Sequence, residues 1–170
     1  MTKKLYLFVG YPGAGKTTIA MMIQTLTSAK HIWVDKERKI RFKRPLFSAE
    51  ENKLLYDELN DQLFKYLKAG NSVIFDTNLN FQRDRLLLSN LAKKARAEVV
   101  LIWVNTDRQI SKTRALQASL HDKLRVLGSM DQSTFDGIAA KLETPTKSEK
   151  PLIIDGQHLN LDIIERLIKD

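Results

Sequence analysis

The stretch that decides the fold is Leu5-Tyr6-Leu7-Phe8-Val9-Gly10-Tyr11-Pro12-Gly13-Ala14-Gly15-Lys16-Thr17, continued by Thr18. Five apolar residues run straight into a glycine-rich turn, and beyond it Ile19, Met22, Ile23 and Leu26 recur at helical spacing. A strand, a loop and a helix in that order mark the spacing Gly, four residues, Gly-Lys-Thr as a phosphate-binding loop. Its glycines open backbone conformations closed to side-chain-bearing residues, so successive amide hydrogens can converge on one anion. Lys16 is then placed to reach β- and γ-phosphates, and the Thr17 hydroxyl to ligate magnesium. Gly10, Pro12, Gly13, Ala14, Gly15, Lys16, Thr17 and Thr18 are accordingly the expected contacts for ATP with Mg2+. A glycine-rich turn that binds nothing would need neither the lysine nor the threonine.

Working outward, short apolar runs alternate with helical stripes, the pattern of a parallel sheet covered on both faces. The strands predicted are Leu5–Val9, His31–Asp35, Ser72–Asp76, Glu98–Val104 and Leu152–Asp155. Leu55, Leu59 and Leu63 form a second helical stripe, opened by a capping box at Ser48 and Glu51 and closed at Gly70. Phe135, Ile138, Ala139 and Leu142 form a third after the cap Asp131, and Leu161, Ile164, Leu167 and Ile168 form the last. The fold class expected is α/β, a three-layer sandwich around a five-stranded parallel sheet, as a single domain over 1–170. Residues from about 114 to 130 are less regular and read as a lid, whereas Glu143–Lys150 reads as a connecting loop.

Composition narrows the setting. The 170 residues are 43% hydrophobic and 28% charged, ordinary values for one packed core. No apolar run approaches the roughly 20 residues needed to cross a bilayer, and Lys3-Lys4 before Leu5–Val9 is too brief for a signal peptide. No membrane partner is expected. Zero cysteines exclude disulfides and thiolate metal sites and fit a reducing cytoplasm. The formal charge of +8 is uneven: Lys36, Arg38, Lys39, Arg41, Lys43 and Arg44 face only Glu37 between positions 36 and 44. That run either holds a polyanion or is a solvated loop. Nearby Trp33, Phe42 and Phe47 either stack on a base or fill the core.

Two predicted strands end in aspartate, and ligands of open parallel sheets bind beyond the carboxyl ends of the strands. Asp35 leads into the basic run, so it is the expected general base toward an anionic acceptor. Asp76 suits the metal's water shell or the support of Thr17. The histidines His31, His121 and His158 are too scattered for a metal site.

Gly-Tyr-Pro-Gly-Ala-Gly-Lys-Thr-Thr at 10–18, Asp35 with Arg38 three places on, and Phe-Asp-Thr-Asn-Leu-Asn at 75–80 with Arg83 and Arg85 beyond carry a family likeness. Over nearly its whole length the chain resembles the P-loop kinases grouped with phage-type polynucleotide 5′-hydroxyl kinase, within a broad set of AAA-family ATPases. The resemblance implies a P-loop NTPase fold with adenylate kinase-like strand order and a lid between the fourth and fifth strands. It implies that Asp35 is the base, that Arg38 holds a phosphate of the acceptor, and that Asp76 supports metal and loop. Asn78 and Arg83 come with it as acceptor contacts. A lid arginine is also implied. Gln117 and Ala118 stand where a second one would be sought, which leaves Arg114 and Arg125 to serve.

The activity expected is transfer of the γ-phosphoryl of ATP to a hydroxyl, foremost a nucleic-acid 5′-hydroxyl. Sugars, antibiotics or nucleotide sugars are the alternative acceptors, and a nucleotide-dependent switch without acceptor chemistry is the other class. A GTPase would need an Asn-Lys-x-Asp motif, and Asn105-Thr106-Asp107 is too short to provide one.

Overall fold

The computed structural model describes residues 2–117 and 126–169. Apolar runs become five parallel strands: β1 Lys4–Val9, β2 Lys30–Trp33, β3 Val73–Asp76, β4 Glu98–Val104 and β5 Leu152–Ile154. Their spatial order is β2-β3-β1-β4-β5, so β1 is central and the loop after it opens in the middle of one sheet edge. The helices are α1 Lys16–Leu26, α2 Val34–Arg41, α3 Ala49–Lys68, α4 Gln82–Lys94, α5 Arg108–Gln117, α6 Gln132–Ala139 and α7 Leu161–Lys169.

The alternation of β1 produces the layers, because successive strand side chains point to opposite faces. Leu5, Leu7 and Val9 pack with Leu55, Leu59, Leu63 and Leu67 of α3 and with Leu88 and Ala92 of α4. Tyr6 and Phe8 pack on the other face with Ile19 and Ile23 of α1 and with Ile164 and Ile168 of α7. The expected three-layer architecture is therefore the one observed.

Several boundaries differ. β2 stops at Trp33, and Asp35 lies in the first turn of α2 rather than at a strand end. Val34 is buried as the first helical residue, so the apolar run His31–Val34 serves a strand and then a helix. The basic run is neither a loop nor a strand extension in its first half: Asp35 and Glu37 sit in the first turn of α2 and Arg38, Lys39 and Arg41 in its last, each sign suiting the helix dipole. Asp155 lies just beyond β5.

At α3, Ser48 Oγ accepts from the Glu51 amide at 3.1 Å as expected, but the Glu51 carboxylate takes the Leu46 amide at 2.7 Å and Arg38 instead of returning to Ser48. Only half of the capping box forms. Gly70 follows the end of α3 at φ 89, and Asp131 caps α6 through the Thr134 amide at 2.9 Å. The buried face of α5 is Ser111 and Ala115. Residues 143–150 hold more than a connection, because Glu149 in a short 3-10 turn accepts from buried Arg85 at 2.6 Å. Of the lid, Ala118, His121, Lys123 and Arg125 lie outside the described residues. Among the described residues, no helix is long and apolar enough to cross a membrane.

Candidate active site

The loop after β1 is shaped by what it packs on. A Cβ on Gly13, whose φ is +81, would lie 2.2 Å from the Ser111 carbonyl oxygen and 3.1 Å from the Ala115 nitrogen. That closeness explains why small residues form the buried face of α5. The Lys16 ammonium donates to the carbonyls of Gly10 at 2.7 Å and Tyr11 at 2.9 Å, bridging the loop. Unlike α3 and α6, α1 has no side-chain cap, and unlike α3 it has no acid in its first turn. Its N-terminal amides and the positive end of its dipole are therefore suited to an anion.

Beside the loop, the Thr17 hydroxyl donates to Asp76 Oδ1 at 3.3 Å from the end of β3. The other oxygen of Asp76 lies 3.3 Å from His31 Nε2, and His31 Nδ1 lies 3.2 Å from Gln24 Oε1 on α1. His31 also stacks on Trp33, with ring centroids 6.0 Å apart. Strand neighbours β2 and β3 and helix α1 thus share one polar chain, which only their adjacency in the sheet creates. Asp76 itself is buried.

Past Asp76 the cleft widens to about 1390 Å³, bordered by Pro12, Gly13, Gly15, Lys16, Thr17 and Thr18 on the loop side and by Trp33, Asp35, Arg38, Phe47, Asn52 and Tyr56 opposite. Arg38 pairs with Glu51 through NH1 and donates from NH2 to Asn52 Oδ1 at 2.6 Å. Burial works against the ionised form of Glu51, but the Leu46 amide and Arg38 outweigh it and hold the carboxyl below its usual range. Tyr56 shares a 2.7 Å hydrogen bond with the Thr77 hydroxyl, and burial pushes its phenol upward, so it stays protonated. Phe42 instead packs against the core.

At the other end, Arg114 NH1 donates to the Gly156 carbonyl at 3.0 Å and borders the cleft, as does Gln117. The Thr106 hydroxyl, fully buried, donates to the Ala14 carbonyl at 2.7 Å and ties the loop to the end of β4. Gly10 and Ala14 shape the loop from behind without bordering the cleft.

The family described as AAA domain matches residues 5–145. The chain belongs to that family. No curated protein matches this AAA domain in sequence. Among solved structures it is similar to a putative kinase from Chloroflexus aurantiacus, at TM-score 0.76 and 16% identity over 99% of this chain and 98% of the other. It is also similar to a sugar kinase from Janibacter sp., at TM-score 0.70 and 18% identity over 99% and 94%. A third is the Mycobacterium tuberculosis APS kinase in complex with AMPPNP and APS, at TM-score 0.68 and 17% identity over 99% of both chains. At these identities the likeness establishes the fold, a P-loop kinase-like one.

In this AAA domain the residues present fit magnesium in the manner of nucleotide-bound magnesium, which takes few protein ligands and keeps several waters. Thr17 and Asp76 meet at the loop, and among the described residues no cluster of three His, Asp or Glu forms a self-sufficient cage. Asn78 borders the cleft, but Arg83 does not; it lies over the Phe81 ring and beside Asp84, with its side chain 79% exposed. Sequence reading missed His31, Tyr56, Asn52, Thr106 and Gly156. His31, Thr106 and Gly156 reach the loop through strand order, and Asn52 and Tyr56 reach the cleft through the return of α3, neither of which a local motif carries.

Proposed function

We propose that this AAA domain is an ATP-dependent phosphotransferase that moves the γ-phosphoryl group of ATP to a hydroxyl of a small molecule. The observation that carries this reading is one cleft bordered by the phosphate loop on one side and by the Asp35 carboxylate on the other. A switch protein would have no use for that second wall. In this reading Lys16, the amides opening α1 and Arg114 hold the phosphates, and Thr17 with Asp76 holds the magnesium, which offsets charge on the phosphate oxygens. Asp35 accepts the proton of the acceptor hydroxyl as that oxygen bonds to the γ-phosphorus. The bond from phosphorus to the β–γ bridging oxygen breaks, and Lys16 stabilises the charge gathered on the departing diphosphate.

A small acceptor is favoured over a nucleic-acid end because half of the basic run is already engaged within the protein. Arg38 is buried against Glu51, Arg41 pairs with Glu37 and Glu58, and Lys39 donates to the Val126 carbonyl. The names of similar structures, a sugar kinase, a gluconokinase and an APS kinase, point the same way. The test is to incubate the protein with γ-labelled ATP and a panel of sugars, amino sugars, nucleosides and 5′-hydroxyl oligonucleotides. Label in a small acceptor supports the reading; label only in oligonucleotides reassigns the acceptor, and label only in free phosphate removes the transferase.

A further inference from the structure

Building on the phosphotransferase reading, we propose that the acceptor is an uncharged or cationic hydroxyl-bearing ring compound, and that Arg38 is a buttress for Phe47 rather than a clamp for an acceptor anion. Among the described residues at that end of the cleft, Arg38 is the one cation. Its side chain is only 4% exposed, and both terminal nitrogens are engaged, NH1 by Glu51 and NH2 by Asn52. The second oxygen of Glu51 holds the Leu46 amide at 2.7 Å, which fixes the carboxylate beside the guanidinium. The positive charge is thereby cancelled within the wall before any ligand arrives. Asp35 adds a carboxylate along the same side, a poor surface for a phosphate, sulfate or sugar acid.

What the network does build is an aromatic platform. Asn52 accepts from Arg38 and, through Nδ2, donates to the Phe47 carbonyl at 3.1 Å. The Phe47 ring lies over the Arg38 guanidinium, 4.7 Å from its carbon, and the residue is 54% exposed at the cleft. Its φ of 55 is a left-handed conformation, which a bulky side chain adopts at a cost and keeps only where its surroundings impose it. An exposed ring, held in place at that cost, offers a face for stacking. With Trp33 and Tyr56 on the same wall and Asn52, Thr77 and Asn78 as neutral hydrogen-bonding groups, the surface suits a flat-faced polyol or amino-polyol.

Two arms test this. In the first, wild-type protein with Mg2+ and AMPPNP is titrated with inorganic sulfate in a calorimeter, beside Glu51→Gln and the double variant Arg38→Ala/Glu51→Gln. Glu51→Gln is nearly isosteric and frees the guanidinium charge, so sulfate affinity should rise about 10-fold or more, the scale of one charge-assisted hydrogen bond, and fall back in the double variant. Wild-type binding of sulfate that depends on Arg38, or no gain in Glu51→Gln, overturns the proposal. In the second arm, γ-labelled ATP is offered with matched acceptors: glucose, glucosamine and gluconate, and adenosine against adenosine monophosphate. Neutral or amino members should be labelled at least about 10-fold faster, and faster labelling of the anions overturns the proposal. Phe47→Ala should raise the KM of the labelled acceptor while leaving that for ATP unchanged; an unchanged acceptor KM removes the platform. If no acceptor is labelled at all, the phosphotransferase reading fails, while the sulfate arm still decides the charge of this wall.

Discussion

Gly156 lies outside every motif, yet the structure gives it a measurable task. A Cβ there would sit 2.0 Å from the Thr106 hydroxyl oxygen, 2.2 Å from the Ala14 carbonyl oxygen and 2.9 Å from Val104 Cγ1. None of these can yield cheaply. Ala14 is backbone of the phosphate loop, Val104 is strand, and Thr106 is held by its bond to Ala14. Gly156→Ala should therefore cost about 1–3 kcal/mol in overpacking and roughly 1–3 kcal/mol more where the Thr106–Ala14 hydrogen bond is forced apart. At about 2–4 °C per kcal/mol for a domain of this size, the summed cost of roughly 2–6 kcal/mol should lower the melting temperature by about 4–24 °C. Affinity for ATP should fall with it, because the displaced atoms belong to the loop and because Arg114 is anchored on the Gly156 carbonyl. Gly137, inside α6 with nothing within 4 Å of its built Cβ, is the control, and Gly137→Ala should gain up to about 1 kcal/mol from helix propensity. Thermal melts and calorimetric titration with Mg2+ and AMPPNP read both variants. Wild-type melting and affinity in Gly156→Ala, or an equal loss in Gly137→Ala, would refute the reasoning.

Asp35→Asn should leave nucleotide affinity intact and slow transfer about 100-fold or more, the scale of a lost general base, as read by single-turnover labelling. Arg114→Ala should lower turnover more than ATP affinity, since it removes a cation beside the phosphates; an effect on affinity alone would make it only a nucleotide contact. At Glu149, burial raises the carboxyl pKa, but Arg85 and the Thr146 amide more than offset it, so the folded value is depressed. That contribution to stability is complete above the unfolded value of about 4.3 and is lost as pH falls through the folded value, so Glu149→Gln should flatten the acid limb of a melting-temperature profile.

What the sequence made legible is what local pattern governs. Leu5–Val9 with the loop after it, the stripe Leu55, Leu59, Leu63, and the caps Ser48 and Asp131 each depend on neighbours within a few residues, and each stands in the structure. Asp35 shows the limit. Apolar continuity through Val34 looked like one strand, whereas burial of Val34 is met equally by the first turn of a helix. The charge of the basic run was legible, but its satisfaction was not: whether Arg38 faces a ligand or Glu51 depends on how α3 returns against α2. The Thr17–Asp76–His31 chain depends on β2 pairing with β3 rather than with β1, and the Thr106 and Gly156 contacts depend on β4 and β5 lying beside the loop. Such contacts are properties of strand order, which no window of sequence contains.

The central claim is that Gly10 to Thr17 holds the phosphates of ATP, and its most direct test is the affinity for AMPPNP with Mg2+ of the wild type against Lys16→Ala. Loss of one charge-assisted contact to a phosphate predicts weaker binding by about 10- to 100-fold in the variant. Equal affinity in the two proteins would contradict the account.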